Sequence, residues 1–164
     1  MPESAVDRAA LYPGGTVHDI RHIGPLGSDG SGPRVNNERM TGVLFFDGAC
    51  GMCTRSVYFL MRHDRAGKLR TEPFQAPGAA DRLGVAESHL FDMSWWLDES
   101  GAVYGGAEAV NAALSVCLGT RLPLLIYRIP GVRFVQDTVY RWVAIHRYRF
   151  RGTTPYCESH PVAC

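Results

Sequence analysis

A four-residue apolar run, Val43-Leu44-Phe45-Phe46, is stopped by Asp47-Gly48 and followed at once by Cys50-Gly51-Met52-Cys53 and an amphipathic stretch. Branched and aromatic residues in a run this short are the pattern of a buried strand, and Asp-Gly is a turn signal. Thr54 to Arg65 then reads as a helix, stopped by Gly67. The order strand, turn, helix places Cys50 and Cys53 at the mouth of that helix. Residues i and i+3 there share a face about 5–6 Å apart, within the Cα separation that a disulfide accepts.

The nucleophile of thiol chemistry is the thiolate, and an ordinary thiol with a pKa near 8.5 is mostly protonated at neutral pH. The first turn of a helix supplies unpaired N–H groups and about half a positive charge, which stabilise an anion. Cys50, the leading residue, is therefore the expected nucleophile. It would attack a substrate disulfide, and Cys53 would resolve the mixed disulfide from one turn deeper. A Cys-x-x-Cys pair is also half of a zinc site, but the position between a buried strand and a helix favours redox chemistry. Gly48, Ala49 and Gly51 make the loop tight and lightly covered, which argues against two merely packed cysteines. Asp47, three residues before Cys50, is a candidate helix cap or turn former, or alternatively a proton relay.

Further along, Leu69 to Phe74 reads as a second strand and Pro77 to Leu83 as a short helix. Met93 to Leu97 is a third strand, Asp98 to Gly101 a turn, and Ala102 to Tyr104 a fourth strand closing a hairpin. Ala107 to Cys117 is a helix that buries Cys117. The order is β-α-β-α-β-β-α, with strands one and two parallel by the right-handed crossover rule. A proline-punctuated apolar stretch, Leu122 to Ile129, leads to a helix over about Val132 to Tyr148. Its residues Val135, Val139, Trp142, Val143 and Ile145 are expected to pack on the sheet. Residues 1–40, with six glycines and four prolines, read as a flexible leader in which His18 and His22 are not a metal site. The domain is expected over 41–151, and 152–164 as a polar tail.

A net charge near +1 points to no nucleic-acid partner, but it is unevenly spread: seven arginines against Asp137 leave +6 over residues 121–151 (7 − 1). The bland account of that basic helix is a solvated face whose stems pack on apolar neighbours; the sharper one is a surface for acidic partners, phosphates or a membrane. No stretch reaches the roughly 18–20 apolar residues of a membrane span, and no secretory pattern opens the chain. A cytoplasmic location is expected. Five cysteines with one tight pair do not make a structural disulfide framework, so the other three are expected as thiols.

These elements resemble the thioredoxin fold. More narrowly, Asp47-Gly48-Ala49-Cys50-Gly51-Met52-Cys53 resembles the Asp-x-x-Cys-x-x-Cys signature of the DCC family of thiol-disulfide oxidoreductases. Gly101 to Ala109 is similar to that family's hairpin and following helix, and Tyr140 to Phe150 to its terminal basic helix, with Cys157 near where a further cysteine often follows. The resemblance covers about residues 43–157. It implies a thioredoxin-like fold with an added C-terminal basic helix and a redox role for Cys50 and Cys53. Its expected partners are protein or small-molecule disulfides and thiols, with glutathione or a thioredoxin-type reductant on the other side, and no cofactor. One departure stands out: thioredoxins carry a cis-proline just before the third strand, where this chain has Asp92-Met93-Ser94. Two other readings use the same residues. Cys157, His160 and Cys164 could join Cys50 and Cys53 around zinc if the tail folds back over the helix mouth, or the chain could be a non-catalytic module that docks an acidic partner through its arginines. Cys157 is also a candidate third redox thiol or glutathionylation site.

Overall fold

The computed structural model describes residues 41–65 and 67–164; the leader reading, with His18 and His22, lies outside the described residues. Four strands form one sheet: β1 (Gly42–Phe46), β2 (Leu69–Pro73), β3 (Trp95–Asp98) and β4 (Val103–Gly105). Their order is β2-β1-β3-β4, with β1 and β2 parallel and the other neighbours antiparallel. Helix α1 (Gly51–His63) makes the crossover between β1 and β2. Two short helices, α2 (Ala79–Leu83) and α3 (Glu87–Leu90), precede the β3–β4 hairpin, and α4 (Ala107–Leu118) follows it. The chain ends with α5 (Leu122–Tyr127), α6 (Pro130–His146), a 3-10 turn at Arg147–Arg149, α7 (Tyr156–Ser159) and a last 3-10 turn at Pro161–Ala163. This is a thioredoxin-like α/β fold extended by C-terminal helices.

Successive residues of a strand face opposite sides of the sheet, and β1 is buried on both. Leu44 and Phe46 pack with Val57 and Leu60 of α1, Trp96 of β3 and the alanine-rich face of α4. Phe45 joins Phe74, Leu83, Leu90 and Trp95 on the opposite side, under α2 and α3. Small alanines at 109, 112 and 113, almost fully buried, let α4 lie close against the sheet. Cys117 is buried as expected, its thiol directed at the Leu60 carbonyl at 3.5 Å.

Several boundaries differ from those expected, each for a local reason. Helix α1 starts at Gly51 rather than Thr54 because Cys50 itself caps it. Strand β3 starts at Trp95 rather than Met93 because the Ser94 N–H donates to the Tyr140 hydroxyl at 2.8 Å and leaves the ladder. The stretch after Gly119 forms α5, since Pro123 falls in a first helical turn, where a missing N–H costs nothing.

The largest correction concerns α6. Val135, Val139, Trp142, Val143 and Ile145 do not form the expected buried face against the sheet: no residue of this helix is buried. Trp142 is 56 % and Ile145 68 % exposed. The helix is held mainly by polar ties: Asn111 to Gln136 at 2.6 Å, Tyr127 to Asp137 at 3.0 Å, and Tyr140 to Ser94. Between α6, α1 and α4 lies an apolar groove of about 810 Å³. Among the described residues no helix is long and apolar enough to cross a membrane.

Trp96, 1 % exposed at the centre of the α1/α4 side, carries the largest single share of that core. Trp96→Ala is expected to lower the free energy of unfolding by about 3–5 kcal/mol, read from urea denaturation monitored by circular dichroism.

Candidate active site

The site begins where β1 ends. Asp47 at the strand's exit turns the chain: its backbone carbonyl accepts the Cys50 N–H at 3.2 Å, and its Oδ1 accepts the Ala49 N–H at 3.0 Å. That is an aspartate-stabilised turn, which the short side chain forms readily. Asp47 is therefore in the turn, and the helix cap is the next functional residue, Cys50. The Cys50 Sγ accepts the backbone N–H of Cys53 at 3.3 Å, as a serine or aspartate would at an N-cap. The Cys53 thiol also points at it, 2.7 Å away.

Two donors converging on one sulfur separate the two thiols. The hydrogen bond from the Cys53 side chain is the largest influence on Cys50, and with the Cys53 N–H and the nearby Arg147 guanidinium it outweighs burial and the Asp47 charge. The Cys50 pKa is lowered to about 6. The same bond, then burial, pushes Cys53 far up. Near neutral pH the pair is a Cys50 thiolate bonded to a Cys53 thiol. Resting as an anion, Cys50 can attack a sulfur without first losing a proton.

Asp47 is 5 % exposed, and both its oxygens are engaged. Besides the Ala49 N–H, Oδ1 accepts Gln75 Nε2 at 3.0 Å, while Oδ2 pairs with Arg147 Nη2 at 3.3 Å. Gln75 Oε1 in turn accepts the Gly48 N–H at 3.0 Å. Arg147 comes from the turn after α6, a hundred residues away in sequence. It offsets the carboxylate charge that would otherwise raise the Cys50 pKa, so a like-charge conflict visible in the sequence is resolved by a distant cation.

The tail is not a loose extension. Thr153 N–H donates to the Gly51 carbonyl at 3.1 Å, Tyr156 N–H to Thr54 Oγ1 at 3.1 Å, and Cys157 N–H to the Gly48 carbonyl at 3.1 Å. Thr54 Oγ1 donates to the Cys50 carbonyl at 3.0 Å. Residues 152–157 thus strap the loop on both sides of Cys50, which is only 1 % exposed; the expected light covering is absent. The approach is backbone to backbone. A Cβ on Gly51 would lie 2.4 Å from the Thr153 carbonyl oxygen, and one on Gly152 would lie 2.5 Å from the Gly51 carbonyl carbon. Cys53 is less covered and opens, with Val57, Val139, Tyr140 and Arg147, onto the groove under α6.

The expectation that the remaining three cysteines are thiols holds only for Cys117. Cys157 and Cys164 are joined in a disulfide. The tail does fold back as the zinc reading required, but that disulfide consumes two of its donors. Among the described residues no three histidine, cysteine, aspartate or glutamate side chains form a metal cluster. Where thioredoxins place their cis-proline, this chain has no cis peptide bond among the described residues, and the Ser94 N–H is already taken by Tyr140. Gln75 and Thr54 had no distinguishing signal in the sequence; Tyr140 and Arg147 lie in the Tyr140–Phe150 stretch that resembles the family's basic helix, but nothing there marks them out, Arg147 being one of seven arginines over residues 121–151.

The DCC1-like thiol-disulfide oxidoreductase family matches residues 44–153. The uncharacterized protein YuxK of Bacillus subtilis is 30 % identical over 118 residues, spanning 70 % of this chain and 84 % of that protein. A DCC family protein of Arabidopsis thaliana, named as chloroplastic, is 29 % identical over 120 residues, spanning 71 % of this chain and 68 % of its own. No solved structure matches the chain.

Ultraviolet thiolate absorbance of the reduced protein is expected to rise with one midpoint at about pH 6, since the lowered Cys50 pKa leaves the anion present above that value and lost below it. Cys53→Ala removes the chief stabilising donor and moves the midpoint up; Arg147→Gln moves it up by less. Gly51→Ala is expected to push the strap off the loop, which would appear as faster alkylation of Cys50 than in wild type at equal pH.

Proposed function

Since the chain belongs to the DCC1-like thiol-disulfide oxidoreductase family, we propose that Cys50 and Cys53 are its redox centre, exchanging electrons with disulfides or thiols through a mixed disulfide. The observation that carries this is the Cys53 thiol 2.7 Å from a Cys50 sulfur that also caps α1. The Cys50 thiolate attacks a substrate disulfide; one substrate sulfur stays bonded to Cys50 and the other leaves as a thiolate that takes a proton. Cys53 then loses its proton and attacks Cys50 Sγ, releasing the second substrate thiolate and closing the Cys50–Cys53 disulfide. Two electrons pass to the substrate, and the reverse direction uses the same two sulfurs. For an external molecule to meet Cys50 the 152–157 strap has to lift.

Asp47 acts in this reading through the turn and its pairing with Arg147, since its partners are two N–H donors and a guanidinium. The partners are protein or low-molecular-weight disulfides and thiols, with glutathione or a thioredoxin-type reductant recycling the pair, and a reducing compartment such as the cytoplasm suits a dithiol resting state.

Redox titration of the chain against glutathione and dithiothreitol buffers, read by mass after alkylation, is expected to show a reversible two-electron step for Cys50–Cys53 between about −280 and −120 mV. Failure of the two thiols to pair, or pairing only after a chelator is added, overturns the reading. Cys53→Ser, in a chain whose Cys157 and Cys164 are also changed to serine, is expected to accumulate a Cys50–glutathione adduct when given oxidised glutathione, and Cys50→Ser is expected to form no disulfide at the site. Asp47→Asn keeps the Ala49 N–H acceptor. It is therefore expected to leave the exchange rate within a few fold and to shift its pH profile slightly downward; loss of the rate at all pH values would make Asp47 a proton relay.

A further inference from the structure

The protein carries a disulfide of its own, Cys157–Cys164, beside the loop that holds Cys50. Cys157 N–H is bonded to the carbonyl of Gly48, two residues before Cys50, and a Cβ on Gly48 would lie 2.6 Å from Cys157 Sγ. The tail disulfide is thus seated on the dithiol loop by a backbone bond and by the absence of a side chain at position 48. Cys50 is nearly sealed from solvent, whereas Cys157 and Cys164 are both half-buried and reachable. The dithiol and the disulfide with which it would exchange thus lie in one molecule.

We propose that Cys157–Cys164 is a second redox-active disulfide that exchanges electrons intramolecularly with Cys50–Cys53, so that the tail relays electrons between the sealed dithiol and thiols in solution. The Cys50 thiolate attacks Cys157 Sγ, forming a Cys50–Cys157 bond and breaking Cys157–Cys164, and Cys164 leaves as a thiolate. Cys53 gives up its proton, which Cys164 takes through solvent, and attacks Cys50 Sγ. The Cys50–Cys157 bond breaks, Cys50–Cys53 forms, and the Cys157 thiolate takes a proton from water. The dithiol loses two electrons and the tail gains them, with no other oxidant. A thiol or disulfide in solution then exchanges with the reachable tail pair, and the strap need not lift.

The relay rests on Cys50 being the nucleophile proposed above, and the test separates the two. In the full chain carrying Cys53→Ser the second step is blocked, so a Cys50–Cys157 cross-link is expected in the majority of molecules, with Cys164 alkylated, by peptide mass mapping after quenching with N-ethylmaleimide. Intact Cys157–Cys164 with alkylated Cys50 overturns the relay. If that same sample forms a Cys50–glutathione adduct with oxidised glutathione, the oxidoreductase reading stands without the relay; if it forms neither product, both fall. The wild-type chain supplies a test that needs no variant. Molecules brought to one disulfide each, by diamide from the reduced state or by limited dithiothreitol from the oxidised state, are expected to reach the same ratio of the two pairs at any protein concentration. Two routes that end at different ratios overturn the relay.

Discussion

Everything at the site depends on a sulfur acting as a helix cap. At an ordinary N-cap a serine or aspartate oxygen satisfies one of the first unpaired N–H groups of the helix. Here Cys50 Sγ accepts the Cys53 N–H, and the same atom receives the Cys53 thiol. Hydrogen bonds to an ionised acceptor are roughly twice as strong as neutral ones, so deprotonating Cys50 improves the cap while it creates the nucleophile of the proposed exchange. Stabilising the thiolate also favours the dithiol over the disulfide, because oxidation removes the anion that the donors hold. Structure and chemistry at this point are one interaction.

The cap works because the surrounding charges are balanced by residues from far along the chain. Asp47 is needed to turn the strand into the helix, yet its negative charge opposes a thiolate three residues away. Arg147 answers it from the far end of α6. That gives a physical reason for a helix with no buried residue to be present: α6 carries Tyr140 to the Ser94 backbone and delivers Arg147 to Asp47. Its apolar side chains line a groove instead of filling a core, and the polar ties from Gln136 and Asp137 keep it in place.

Local pattern was sufficient for the order of the strands and the main helices, for the burial of Cys117 and for the location of the dithiol. The continuous apolar run of β1, buried on both faces, and the alanine face of α4 are encoded in short windows. The failures share a cause. The apolar spacing of Val135, Val139, Trp142 and Ile145 reports that these residues lie on one side of a helix, but not what that side meets, and it meets a groove open to solvent. Pro123 looked like punctuation and sits harmlessly in a first turn. An odd number of cysteines concealed a pair, since a pairing is decided by proximity and not by parity.

What the sequence by itself determined is the dithiol loop: strand, aspartate turn, cysteine pair and helix lie within about twenty residues, and every contact among them is short-range. What only the tertiary structure decided is the environment of that loop. The strap over Gly48 and Gly51, the Arg147 guanidinium beside Asp47, and the Cys157–Cys164 disulfide against Gly48 join residues about a hundred positions apart. Such contacts leave no periodic trace in the sequence, because they depend on where α6 ends and on how closely two glycine backbones, at Gly51 and Gly152, can approach.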